Sequence, residues 1–396
     1  MGDGPDIIRQ IIADHWESVA PVLGRHLPKD VEKAVVVGVE KMLRCRTEEN
    51  GFAAFRCPDC GAVRIIAFSC KSRFCPECGK VRAAEAASNA QGRLLNVGHR
   101  LLTFSVHCEL RSLLFENRKL LAVVAKAAAQ ATLHAVGTRC RSHAPLPGVM
   151  ATVHTFGRDL TFHVHVHVLC TEGGLRSDGI WQSVHIFPAQ QYRRLWQYYL
   201  LNGLRKALKR NRSAQWRIGR LYRKYPTGFI VNVMSHYRNG RKAAAYCCRY
   251  TGRPPISAKR IVGYDGKLVT ISYTDYRDSV DKTLTLRADK FLLRLFAHVW
   301  PRYMRGVHYY GLYQPSRRRE HVEKTVEASK YRDQVRPVPP ASRQERVRDA
   351  LNGLELQCLE CGGYVILEYI EYAGRRYEKK DKGPPRTQRG QLSLPM

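Results

Sequence analysis

The stretch Phe162-His163-Val164-His165-Val166-His167-Val168 alternates histidine with an apolar residue. This is the two-residue period of a β-strand, so three imidazoles project from one face while the valines and Phe162 project from the other. Imidazole nitrogens on a buried or half-buried face need partners, and a metal ion serves all of them at once. The alternative is a solvated, histidine-rich face. Upstream, Val149 to Phe156 reads as a second strand, joined to the first by the short polar link Gly157-Arg158-Asp159-Leu160. A link of that length predicts an antiparallel hairpin. Pairing Phe156 with Thr161 puts His154 opposite His163 and Thr152 opposite His165, and leaves His154 on the histidine face.

Composition narrows what such a face acts on. The chain has 396 residues, enough for two or three domains, and carries 66 Lys and Arg against 34 Asp and Glu, a formal net charge of +32. Charge of that size spread along the chain points to a polyanion, above all nucleic acid. Membrane attachment is the competing use of basic charge, but no apolar run approaches the roughly 20 residues of a spanning helix. The opening Met1-Gly2-Asp3-Gly4-Pro5-Asp6 lacks a signal-peptide core. A cytoplasmic, DNA-associated protein is expected.

Thirteen cysteines in such a chain suggest metal before disulfides. Cys57-Pro58-Asp59-Cys60-Gly61 and Cys75-Pro76-Glu77-Cys78-Gly79 are two copies of one C-P-x-C-G pattern, a turn that aims two thiolates at one point. With the strand-like Val63 to Phe68 between them, they predict a zinc ribbon whose ligands are Cys57, Cys60, Cys75 and Cys78. Cys70 is the main competitor for a ligand place, and Cys45 a weaker one. A third knuckle, Cys358-Leu359-Glu360-Cys361-Gly362, has no second half nearby in the sequence. It reads as a degenerate ribbon, a half-site completed from elsewhere, or two free thiols.

Around these motifs the periodicity is mixed. Ile7 to Trp16, Val31 to Leu43 and Val81 to Leu95 read as helices about the ribbon, giving an N-terminal domain over 1–97. From there to 316, strands alternate with helices: strand Leu101 to Val106, helix Asn117 to Val136, the histidine hairpin, helix Ala189 to Lys209, strand Phe229 to Met234, strand Lys267 to Asp275 and helix Ala288 to Val299. The fold class predicted is α+β, a central antiparallel sheet flanked by helices, with a basic C-terminal extension over 317–396. Within that extension, Arg336-Pro337-Val338-Pro339-Pro340 reads as a linker. Arg205 to Lys224 contains no acid and interleaves Trp216 and Tyr222 with basic residues, a composition suited to a single-stranded nucleic acid. Tyr246 and Tyr250 stand four apart on a predicted alanine-rich helix, which puts both hydroxyls on one face.

Several of these motifs converge on one family. The ribbon, Val153-His154-Thr155-Phe156-Gly157 running into His163-Val164-His165-Val166-His167, and Tyr246-x-x-x-Tyr250 followed by Arg253-Pro254-Pro255-Ile256-Ser257 resemble the rolling-circle transposases of the insertion sequence 91 family. These are two-tyrosine members of the HUH endonuclease superfamily, U denoting a hydrophobic residue. Val164 stands where the family often has proline. The resemblance implies that His165 and His167 hold a divalent ion, Mg2+ or Mn2+; the hairpin geometry makes His154 the third ligand, with His163 as the alternative. The resemblance also implies that Tyr246 and Tyr250 are nucleophiles that nick single-stranded DNA and transfer it through 5′-phosphotyrosine intermediates, while Zn2+ occupies the cysteine site. A plasmid replication initiator or relaxase would share this chemistry. A non-catalytic zinc-ribbon regulator would share only the nucleic-acid binding.

Overall fold

The computed structural model describes residues 7–72, 75–139, 143–238, 247–248, 255–275, 278–316, 320, 323–324 and 357–378. Tyr246, Tyr250, Arg253, Pro254 and the linker Arg336 to Pro340 lie outside them. Helices α1 (Ile7–Val19), α2 (Leu23–His26) and α3 (Lys29–Leu43) precede strands β1 (Phe52–Arg56) and β2 (Val63–Ala67) and helix α4 (Pro76–Gln91). Then come β3 (His99–Ser105), α5 (Arg111–Glu116), α6 (Leu120–Gly137), β4 (Gly148–Phe156), β5 (Phe162–Thr171), β6 (Gly173–Leu175) and β7 (Trp181–Ser183). The chain continues through α7 (Ala189–Ala207), α8 (Arg212–Lys224), β8 (Val231–Tyr237), β9 (Ile261–Tyr264), β10 (Leu268–Thr274), β11 (Asp281–Arg287), α9 (Ala288–Phe296) and β12 (Val307–Gly311). Strands β13 (Ile366–Tyr372) and β14 (Arg375–Glu378) close the described chain.

The architecture is α+β. Its centre is a five-stranded sheet in the order β12-β4-β5-β3-β8 whose neighbours all run antiparallel. Because side chains alternate, Val164, Val166, Val168 and Cys170 of β5 share one face with Leu102 and Phe104 of β3 and Val149, Ala151 and Val153 of β4. Helices α6 and α7 cover that face through Val124, Ala128, Trp196 and Leu200. Burial of each valine contributes about 1.5–3 kcal/mol, which fixes the histidines on the opposite face. Helix α6 is long and apolar enough to cross a membrane by length and composition alone, closer to that limit than the sequence suggests. Its residues Leu121, Val124, Ala125, Ala128 and Ala135 are instead buried in this core.

A second core crosses the boundary expected after residue 97. Ile8, Ile11, Ile12, Val31, Val35 and Val39 of α1 and α3 pack with Val269 and Ile271 of β10 and with Phe291, Leu292, Leu295 and Phe296 of α9. Cys45, Cys70, Cys75 and Cys78 belong to the same cluster. The helices ahead of the ribbon thus bury their apolar stripes against an element some 250 residues downstream. A separate four-stranded sheet has the order β14-β13-β1-β2, so the C-terminal hairpin extends the N-terminal one.

Candidate functional site

The histidine face is built by register. In β4 and β5, His154 pairs with His165 and Thr152 with His167, while β3 sets Thr103 opposite His167 and Ser105 opposite His165. This differs from the pairing expected from the sequence. The link closes through Gly157 N donating to Thr161 O (2.9 Å), with Leu160 at φ 61° and Asp159 Oδ1 accepting from the Thr161 amide. The ladder therefore starts at Phe156 and Phe162, and a bulge follows between His154 and Phe156. The net shift opposite His154 is two residues, and an even shift keeps every side chain on its original face.

As a result, the ligand atoms of His154, His165 and His167 lie within 4.8 Å of one another. His163 shares their face but is not in this group, although its ring centroid is 5.6 Å from that of His165. Hydrogen bonds orient the rings. Nδ1 of His167 lies 3.1 Å from Thr103 Oγ1, which itself donates to Met234 Sδ at 3.1 Å. With the Thr103 hydroxyl donating to Met234, His167 donates from Nδ1, and a neutral ring then carries its lone pair on Nε2. His165 Nδ1 lies 3.3 Å from the His163 carbonyl, which has the same effect.

Burial, more than anything else, keeps these rings neutral. It pushes His165 down to about 3, helped by the neighbouring His167 and His163, and His167 down to about 4. His154 is also held well below the usual histidine range by burial and then by His167 and His165, against a hydrogen bond to the Cys247 backbone. Among the described residues the group is three neutral imidazoles without a carboxylate, a donor set suited to a borderline divalent ion; Mn2+ fits it better than Mg2+, which prefers oxygen.

Cys247 and Cys248, the residues between the two tyrosines, are described, although Tyr246 and Tyr250 are not. Both are buried in a cluster with Leu101, Met150 and Leu169. Leu101 pairs with Leu169 on β3 and β5, and Met150 with Leu169 on β4 and β5. Those three lie on the histidine face, one step along each strand from Thr103, Thr152 and His167. The segment carrying Cys247 thus packs on the same side of the sheet as the imidazoles.

The cysteines are grouped otherwise than the sequence predicts. Cys57, Cys60, Cys75 and Cys78 do not meet. Cys45, Cys70, Cys75 and Cys78 form one quartet, and Cys57, Cys60, Cys358 and Cys361 form another. The reason is the extension of β2: five residues in a strand carry the chain about 17 Å away from the first knuckle. At the far end Cys70 and the start of α4 fold back onto Cys45, just past α3, and sulfurs approach at 3.6 Å (Cys45 and Cys78), 3.5 Å (Cys70 and Cys78) and 3.8 Å (Cys45 and Cys75). Cys45 is pulled down to about 7, chiefly by hydrogen bonds from the Cys70 and Cys75 thiols. The third knuckle meets the first, on the N-terminal hairpin.

The basic run is also less bare than its sequence. Helix α8 opens with the Asn211 side chain accepting from the Ala214 amide and buries Ile218 and Leu221. Glu109 reaches it from another part of the chain and pairs with Arg220 and, at 3.1 Å, with Lys224. Trp216 is 64% exposed, and the Arg220 guanidinium lies 5.2 Å from its ring centroid.

Two family models match the chain, one described as "Putative transposase" over residues 148–321 and one described as "Transposase zinc-binding domain" over residues 11–106. The transposase for insertion sequence element IS801 of Pseudomonas savastanoi pv. phaseolicola is 28% identical over 352 residues, 85% of this chain and 83% of that one. The y4qJ protein of Sinorhizobium fredii (strain NBRC 101917 / NGR234), described as a "Putative transposase", is 26% identical over 283 residues, 67% of this chain and 71% of that one. No solved structure matches the chain.

Proposed function

The chain belongs to the insertion sequence 91 family of transposases, and on that premise we propose that it nicks and rejoins single-stranded DNA on the histidine face of its central sheet. Tyr246 and Tyr250 supply the nucleophiles. The observation that carries this reading is the convergence of His154, His165 and His167, with the Cys247 backbone bonded to His154. Cys247 follows Tyr246 directly in the chain, and its neighbours Leu101 and Met150 lie on the histidine face.

His154, His165 and His167 would hold a divalent ion, Mn2+ or Mg2+, which when bound polarises a non-bridging phosphate oxygen and neutralises charge that builds up there. A tyrosine oxygen attacks phosphorus, the bond from phosphorus to the 3′ oxygen breaks, and the phenolic proton is lost while the 3′ oxygen gains one. The product is a 5′-phosphotyrosine and a free 3′-hydroxyl. The tyrosyl ester retains the energy of the broken linkage, so a DNA hydroxyl can reverse the step without an external energy source. A second tyrosine allows a second 5′ end to be held during strand transfer. An unperturbed phenol titrates near pH 10, so the nucleophile requires activation within the site.

The test is a covalent adduct. Labelled single-stranded oligonucleotides from both flanks of the gene are incubated with protein and Mn2+, then resolved under denaturing conditions. An adduct lost only in the Tyr246→Phe, Tyr250→Phe double variant supports the reading. Absence of an adduct from every flanking sequence, with folded protein that binds DNA, favours a non-catalytic regulator instead.

A further inference from the structure

We propose that Cys57, Cys60, Cys358 and Cys361 bind a structural zinc ion of their own, separate from the one held by Cys45, Cys70, Cys75 and Cys78, and that it fastens residues 357–378 to the N-terminal hairpin. The zinc-binding domain model ends at residue 106 and so includes neither Cys358 nor Cys361.

The backbone of the two knuckles carries the argument. Gly61 and Gly362 both have φ 76°, the left-handed conformation that suits glycine. Gly61 N donates to Cys57 O at 3.0 Å, and Gly362 N donates to Cys358 O at 3.0 Å. Cys57 N donates to Ala62 O and Cys358 N to Gly363 O. The turns 57–62 and 358–363 are therefore one structure made twice. The motif at Cys75, though nearly identical in sequence to that at Cys57, instead opens α4, with Cys75 at the helix N-cap. Structural likeness thus pairs the first knuckle with the third, and sequence likeness misleads.

Sulfur geometry agrees. Cys57 and Cys361 Sγ lie 3.5 Å apart, as do Cys60 and Cys358 Sγ, and all four sulfurs fall within 4.8 Å of one another. The edge of a tetrahedron with Zn–S bonds of about 2.3 Å is about 3.8 Å, whereas a disulfide needs about 2.05 Å. Strand pairing delivers both knuckles to the same end of the sheet: Arg56 at the end of β1 pairs with Ile366 at the start of β13.

The local core explains why metal is needed. The buried cluster next to the knuckles is small, Ala53, Phe55, Cys57, Cys358, Val365 and Ile370, with Phe52 and Ala54 of β1 buried outside it. A core this small is the setting in which a structural zinc ion contributes most of its folding free energy. The Arg56 to Glu368 ion pair at 3.0 Å is half-exposed and adds little.

The experiment uses the full chain, purified reduced, and reloaded with Co2+. Sulfur-to-cobalt charge transfer reports thiolate sites only, so metal on the histidines does not contribute. Wild type is expected to saturate this band at two equivalents, and a Cys358→Ser, Cys361→Ser variant at one, with half the intensity. A Cys70→Ser, Cys78→Ser variant should likewise lose one equivalent. Saturation of wild type at one equivalent, an unchanged band in the Cys358→Ser, Cys361→Ser variant, or protection of these four thiols from alkylation as disulfides would each overturn the proposal. The wild-type titration needs no variant to fold.

Discussion

Thr103 Oγ1 lies 3.1 Å from His167 Nδ1 on the neighbouring strand and donates its own hydrogen bond to Met234 Sδ. Thr103 is not one of the converging ligand groups; it positions the His167 ring, which is. Removing such a partner typically costs 10–100-fold in metal affinity. Thr103→Val is therefore expected to weaken Mn2+ binding by about 10–100-fold, read from the Mn2+ concentration that half-saturates adduct formation, and Thr103→Ser should restore it. If Val and Ser behave alike, the hydrogen bond is irrelevant to the ion.

The two candidate third ligands separate cleanly. His154 is in the group of converging nitrogens and His163 is outside it. His154→Ala should abolish metal-dependent adduct formation, a loss of at least about 100-fold, while His163→Ala should stay within a few-fold of wild type. The converse result, with both variants melting as wild type does, would transfer the ligand role to His163.

How far this site is legible in the sequence depends on the range of the interaction. The alternation from His163 to His167 reports its strand and face directly, because a period of two is a local property. His154 follows once the hairpin is recognised, since faces survive an even slip in register. The slip itself is invisible: it stems from Leu160 at positive φ and a bulge beside His154. Thr103 carries no signal at all, because its role arises only from β3 pairing with β5. The cysteine partnership fails for the opposite reason. Cys57 and Cys75 head matching motifs, yet the sulfur 3.5 Å from that of Cys57 belongs to Cys361, 304 positions away. Likewise, α1 and α3 are readable as amphipathic helices, but nothing in them names Phe291 and Phe296 as their cover.

Acid should destabilise the fold through His99, which is far from any proposed ligand. Its Nδ1 lies 2.8 Å from the Val97 carbonyl and its Nε2 2.7 Å from the Tyr313 hydroxyl, so both nitrogens are used by the neutral ring. Burial lowers its pKa to about 4, against roughly 6.5 when unfolded. Between those values the unfolded chain takes up a proton that the folded one refuses, so stability falls as pH drops below about 6.5 and the loss is complete near 4. At pH 5 the share from this residue is about 2 kcal/mol. Urea midpoints at pH 7 and pH 5 should differ more in wild type than in His99→Gln; equal differences would remove His99 from the account.

Trp216 of α8 and Glu109, which pairs with basic residues of that helix, should act in opposite directions on single-stranded DNA. Trp216 is exposed and already stacked by Arg220, an arrangement open to a base on its free side. Base stacking on an aromatic ring contributes about 1–3 kcal/mol, so Trp216→Ala should weaken oligonucleotide binding by about 5- to 150-fold at fixed salt. Stability should not change, because the ring buries little, and the slope of log K against log salt should hold, because no phosphate contact is lost. Glu109 instead neutralises Arg220 and Lys224. Glu109→Gln leaves both cations for phosphate, so binding should tighten at low salt and the slope should steepen by about 1–2. Fluorescence anisotropy across a salt series measures both effects. A Trp216→Ala variant that changes the slope but not the affinity at its reference salt would mean that this helix meets the backbone and not the bases.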